Sequence, residues 1–154
     1  MPIRDALLEF SLEQDLTGNA ATDEESTNVV QNPRTVDHKD SAQDSRMSVD
    51  GELFLNVVVD GGALVSAVDG GGLTIELFQD TDTTTVTTDG NAIIAKTITG
   101  INTSTAHPNG TVLMSQGLPA DAIEAGLAIK YSRITQNLAS GKVTAWIGPS
   151  IQQG

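Results

Sequence analysis

Leu53, Leu55, Val57 and Val59 alternate with Phe54, Asn56 and Val58, the period-2 pattern of a strand with one buried face. That segment stops at Asp60-Gly61-Gly62. A second one places Leu73, Ile75 and Leu77 inward and Thr74 and Glu76 outward, and is entered through Asp69-Gly70-Gly71-Gly72. Thr27 to Gln31, Thr84 to Thr88, Ala92 to Thr99 and Thr111 to Gln116 are rich in Val, Ile or Thr and separated by Gly, Asn, Asp or Pro, so they also read as strands. Leu127 to Gln136 and Lys142 to Ile147 read as a hairpin turning at Ser140-Gly141. The count is about eight strands. Short strands at this spacing, with no long 3.6-period segment between them, predict an all-β antiparallel sandwich or jelly roll. One helical turn is expected at Pro119 to Ala125, ended by Gly126.

Two segments fit such a sandwich poorly. Residues 1–25 set Leu7, Leu8, Phe10, Leu12 and Leu16 among acids, a pattern that suits a short amphipathic helix or, the reading we favour, an extended N-terminal arm. Asn32 to Asp50 is a long polar loop with Val36, Met47 and Val49 as its sizeable apolar residues. Ordering such a loop costs about 1–2 kcal/mol per residue, and so few apolar anchors do not offset that without a partner surface. The expected organisation is an arm over 1–25 and a jelly-roll domain over 26–154 that carries the loop at 32–50.

At 154 residues the chain is long enough for one domain and one core. It has no cysteine, which excludes disulfides, thiolate metal sites and a cysteine nucleophile. No apolar run approaches the ~20 residues of a membrane helix, and no apolar signal region follows Arg4, so the expectation is a soluble, unexported protein without a membrane partner. Charge changes the picture more. The chain holds 20 acids and 8 bases, a net charge of −12. From Gly126 onward there are three bases (Lys130, Arg133, Lys142) and no acid, +3, whereas five bases and 20 acids before it give −15. A split of this kind suggests a surface that meets a partner. That partner is not nucleic acid: a chain this acidic is repelled by phosphate, and at 3% aromatics it lacks stacking platforms.

Candidate chemistry is sparse. His38 and His107 are the two histidines, each in a polar segment without a second histidine at ligand spacing. Asp80-Thr81-Asp82 with Asp89 resembles a fragment of a calcium loop but lacks its glycine and terminal glutamate. A carboxylate pair for glycoside cleavage is a spatial property that sequence does not display. No Gly-x-Ser-x-Gly elbow, phosphate loop or dinucleotide fingerprint occurs. The reading is therefore a non-enzyme without metal or cofactor. Trp146, the single tryptophan, is out of phase with Val143, Ala145 and Ile147; it either faces outward as an interface anchor or caps the sheet of its own domain.

The opening Asp5-Ala6-Leu7-Leu8-Glu9-Phe10-Ser11 with Gln14, followed by Ser26-Thr27-Asn28-Val29-Val30, resembles the N-terminal signature of a family of bacteriophage capsid cement (decoration) proteins. Lys130-Tyr131-Ser132-Arg133-Ile134 and Ala139-Ser140-Gly141-Lys142-Val143-Thr144-Ala145 look like that family's closing strand, turn and strand. The loop at 32–50 looks longer than the turn the family would place there. The resemblance implies a jelly-roll virion protein, made in bacterial cytoplasm, that binds the outer surface of a phage head and bridges major capsid subunits. It implies a homodimer, with a trimer as the other possibility. Leu7, Leu8 and Phe10 of the arm, Arg34 and Arg46 of the loop, and Arg133 and Trp146 near the end are the expected partner contacts. The alternative is a carbohydrate-binding jelly-roll module on a virion surface, and behind it a glycosidase.

Overall fold

Alternating apolar residues give each strand one face to bury, and two sheets laid face to face bury both sets at once. The computed structural model describes residues 8–18, 22–32, 53–104 and 107–151, and the strands are as follows. They are β1 (Glu9–Asp15), β2 (Asp23–Glu25), β3 (Val30–Gln31), β4 (Phe54–Val59), β5 (Val65–Ser66), β6 (Gly71–Asp80), β7 (Ile94–Ile101), β8 (Val112–Gly117), β9 (Gly126–Ile134), β10 (Leu138–Ser140) and β11 (Lys142–Gly148). One sheet has the order β1-β11-β4-β8; the other has the order β2-β9-β6-β7, with β3 also on β9. β10 and β5 form a small third pair. Every pairing is antiparallel, and no α-helix occurs among the described residues. The all-β antiparallel sandwich expected from the alternation is the architecture found.

The core lies between the two main sheets. Leu55, Val57 and Val59 of β4 and Val143, Ala145 and Ile147 of β11 meet Leu73, Ile75 and Leu77 of β6 and Leu127, Ile129 and Tyr131 of β9. A smaller cluster of Phe78, Val86 and Ala128 is separate from this core. The sandwich closes on one side through contacts of β1 with the β2–β3 segment. Asn28 N–H donates to Phe10 O at 2.9 Å, and Gln14 Nε2 donates to Glu25 O at 2.6 Å.

Four expectations are corrected. Leu127–Gln136 and Lys142–Ile147 are strands, but not a hairpin: β9 belongs to one sheet and β11 to the other. Both are buried along most of their length, so each takes a central place in its own sheet, and the chain crosses between them through Thr135 at φ 67° and Gly141 at φ 151°. Thr84–Thr88 is not a strand. Asp82 Oδ1 accepts the N–H groups of Thr84 at 2.7 Å and Thr85 at 3.2 Å, and Asp80 Oδ2 accepts that of Thr87 at 3.1 Å. Side-chain carboxylates thus take the donors a ladder would need. Pro119–Ala125 forms a turn with Ala122 N–H donating to Pro119 O at 3.1 Å, not a helical turn that continues. Finally, the larger part of the expected arm that is described is no arm: Glu9–Asp15 is a strand hydrogen-bonded to β11. The loop at 33–50 lies outside the described residues.

Candidate functional site

Among the described residues, those singled out as partner contacts do not converge on one surface. Leu7, Arg34 and Arg46 lie outside the described residues. Phe10 is wholly buried and Leu8 nearly so, both within the main core. They are apolar because β1 packs into the sandwich, so the expectation that they reach outward to a partner is corrected.

Arg133 is corrected likewise. It follows Leu127, Ile129 and Tyr131 on the inward phase of β9, which aims its guanidinium into the end of the sandwich, where it is 3% exposed. Nη1 donates to Leu16 O at 3.1 Å, Nη2 donates to Thr22 O at 2.7 Å and to Thr22 Oγ1 at 3.0 Å, and Glu24 Oε1 lies 3.5 Å from Nη1. The side chain clamps the connection between β1 and β2. Its i, i+2 spacing from Tyr131 was readable in the sequence, and that spacing outranked its charge.

Trp146 lies on the face of β11 opposite Val143, Ala145 and Ile147, as its phase predicts. It is nevertheless only 6% exposed, which corrects its reading as an outward anchor. In register it is flanked by Glu9 of β1 and Asn56 of β4. Its ring lies so close to Gly148 that a Cβ there would come within 3.2 Å of the indole. On the same face Asn56 Nδ2 donates to Pro149 O at 2.9 Å, and Ser115 Oγ donates to Asn56 Oδ1 at 2.8 Å, which ties the closing segment back across the sheet.

The charge split along the sequence resolves into internal pairing. Lys130 Nζ stands 3.6 Å from Glu76 Oε2, donates to Thr88 O at 3.1 Å and sits 4.9 Å over the Phe78 ring. Arg133 meets Glu24, and Lys142 is opposite Asp15 in register. Two of the three bases of the C-terminal stretch pair with acids from earlier in the chain, so the three do not add up to a basic patch.

Sequence reasoning missed two features. The first is a polar network in the core: Tyr131 Oη and Ser11 Oγ are 3.0 Å apart, Ser11 Oγ donates to Gln14 Oε1 at 2.6 Å, and Gln14 Oε1 accepts Thr27 N–H at 3.1 Å. It links both sheets to the β1–β2 side. The second is the state of the sheet edges. β1 and β2 end the two sheets on the side rich in acids, with Glu9, Glu13 and Asp15 on one and Asp23, Glu24 and Glu25 on the other. β8 and β7 end them on the far side, and residues 90–117, which include both, hold no acid at all.

Chemically the described surface offers little. No group of three metal-ligating side chains occurs among the described residues. Asp80 and Asp82 are held below the ordinary carboxyl pKa, chiefly by the N–H groups of Thr87 and Thr84 respectively, so these oxygens serve their own loop. His107 binds Leu64 through its backbone alone, N–H to O at 3.1 Å and O to N–H at 2.9 Å. His38 lies outside the described residues. No protein-family model matches the chain, and no curated protein matches it.

Proposed function

We propose that the chain is a structural protein of a bacteriophage virion, a cement (decoration) protein that binds the outer surface of the head shell, bridges major capsid subunits and acts as a homo-oligomer without enzymatic activity. One observation supports this above the others. The segments that carry the resemblance to cement proteins, scattered from residue 9 to residue 145, are neighbours in space. Ser11 is opposite Ala145 and Gln14 opposite Val143, Asn28 N–H donates to Phe10 O, and Ser11 Oγ lies 3.0 Å from Tyr131 Oη. Motifs that share one folded corner resemble the family as a unit and not as separate coincidences. Jelly-roll connectivity remains part of the same proposal.

The physics of the reading is straightforward. A shell filled with DNA strains its own subunit contacts, and a bridge across two subunits adds contacts that do not depend on the strained ones. Each specific bridge needs about 1,000 Å² of contact or more. An oligomer touching two subunits gains effective concentration for its second contact. A net charge of −12 keeps such a protein on the outside, away from packaged phosphate. The sugar-binding alternative depends on exposed aromatic platforms, whereas Tyr131 and Trp146 are both buried. The test is cosedimentation of the purified protein with expanded empty heads that lack it, followed by heating. Stoichiometric binding with a raised disruption temperature is expected, and absence of binding overturns the reading.

A further inference from the structure

A sheet edge presents unpaired N–H and C=O groups, and proteins protect such edges with charge, bulges, brevity or cover. Three of the four main edges here carry such protection. β1 bears Glu9, Glu13 and Asp15 and has register shifts on either side of Ser11. β2 is three residues long and all of them are acidic. β8 is six residues long, with a register shift against β4 between Val57 and Val58. β7 differs in length and in the reach of its regular pairing: its one register shift against β6, between Gly71 and Gly72, falls at its Gly100 end and leaves Ile94–Thr99 paired without a break, and its one charge is Lys96. It has eight residues, Ile94-Ala95-Lys96-Thr97-Ile98-Thr99-Gly100-Ile101, with neither proline nor acid. Among the described residues it pairs with β6 and with no other strand. Ala95, Lys96, Thr97 and Thr99 are exposed, and Ile98 is only partly buried against the core.

We propose that β7 is a self-pairing edge: two copies of this chain join antiparallel, β7 to β7, and continue the sheet of one copy into that of the other across a two-fold axis. Charge selects the occupant. Two chains of net charge −12 repel each other over most of their surfaces, and the acid-free stretch 90–117 is where they approach at least cost. The nearest acid on the neighbouring strand, Glu76 opposite Ala95, is already ion-paired with Lys130. Lys96 is the one charge on β7, and its sign is opposite to the net charge of the partner copy as a whole. An antiparallel pairing of one strand with its own copy is self-complementary, as a two-fold dimer requires. The Thr and Ile content gives the strand the side chains that cross-strand pairing favours.

This inference rests on the homo-oligomer part of the reading above and is independent of shell binding. Sedimentation velocity of the full chain and of Thr97→Pro and Thr97→Glu variants tests it, with circular dichroism reporting the fold of each. Pro removes an N–H from the strand, and Glu sets two like charges near the axis while leaving the backbone intact. A wild-type dimer and folded, monomeric variants are expected. Because the chain has no cysteine, Ala95→Cys, Thr97→Cys and Thr99→Cys give only intermolecular disulfides; at least one is expected to cross-link faster than Leu12→Cys on β1. A dimer that survives both Thr97 variants overturns the edge assignment and leaves the oligomer reading standing. A wild-type chain that stays monomeric overturns both.

Discussion

Tyr131 is the single tyrosine of the chain, fully buried with its hydroxyl against Ser11, so its ionisation can be followed without interference. Burial pushes the phenol well above its ordinary pKa, with the Ser11 hydrogen bond acting the other way. The sign follows from linkage. Below the unfolded-state pKa of about 10 the phenol is protonated in both states and stability is unaffected by pH; above it the unfolded chain loses a proton that the folded one keeps. Stability should therefore fall above about pH 10 by up to ~1.4 kcal/mol per pH unit. Phenolate absorbance should appear together with unfolding, and Tyr131→Phe should abolish this part of the alkaline slope at a cost of about 1 kcal/mol at neutral pH. Phenolate forming in a chain that stays folded would refute the assignment.

Arg133 makes the complementary case, a charge that belongs to the interior. Arg133→Met keeps most of the stem but leaves the carbonyls of Leu16 and Thr22 without these donors. A loss of about 2–4 kcal/mol in urea unfolding is expected, with only partial rescue by Lys, whose ammonium cannot fork between two carbonyls. A change below ~0.5 kcal/mol would mean that the 16–22 connection holds itself.

At the level of elements, the crossing from β9 to β11 carries the main lesson about legibility. The strands were readable because their signals are local: β4 and β6 fall where period 2 places them, β7 and β8 where runs rich in Val, Ile or Thr stand between turn residues, and β9 and β11 on either side of Ser140-Gly141. Which sheet a strand joins is not local. Ser140-Gly141 has the composition of a hairpin turn, and nothing in those residues distinguishes a turn that returns to the same sheet from one that changes sheet. Leu64 makes the difference. A Cβ on Gly141 would meet Leu64 Cδ1 at 2.5 Å and Leu64 Cα at 3.4 Å, at a φ of 151° that side chains resist, and Gly141 O accepts Leu16 N–H at 2.8 Å. Gly141→Ala should therefore cost about 1–3 kcal/mol, read as a lowered melting temperature, whereas Gly62→Ala, with open space around its Cβ, should cost far less. Equal effects would place Gly141 in an ordinary turn. The threonine run at 84–88 failed for a different reason: β-propensity was outweighed by the Asp80 and Asp82 carboxylates, whose capping role has no period. Of the expected contacts, Phe10 and Arg133 were misplaced because strand phase, legible in both, was given less weight than apolarity or charge.

For the whole molecule, charge separates two kinds of association. The acids of β1 and β2 lie at one side of the sandwich and the acid-free edges of β7 and β8 at the other. Two copies that meet through β7 still repel each other as bodies of net charge −12, and that repulsion acts over a Debye length of about 30 Å at 0.01 M salt but about 10 Å at 0.1 M. Self-association is therefore expected to tighten as salt rises across that range. A partner recognised through the acidic β1–β2 side is held by attraction between unlike charges, so its binding weakens over the same range. One sedimentation series in salt, run on the chain alone and then with empty heads, reads both slopes. Self-association that weakens with salt would mean that unlike charges, not an acid-free strand edge, bring the copies together. The dimer contact would then have to include the acidic side, where Lys130 and Arg133 already have acids of their own.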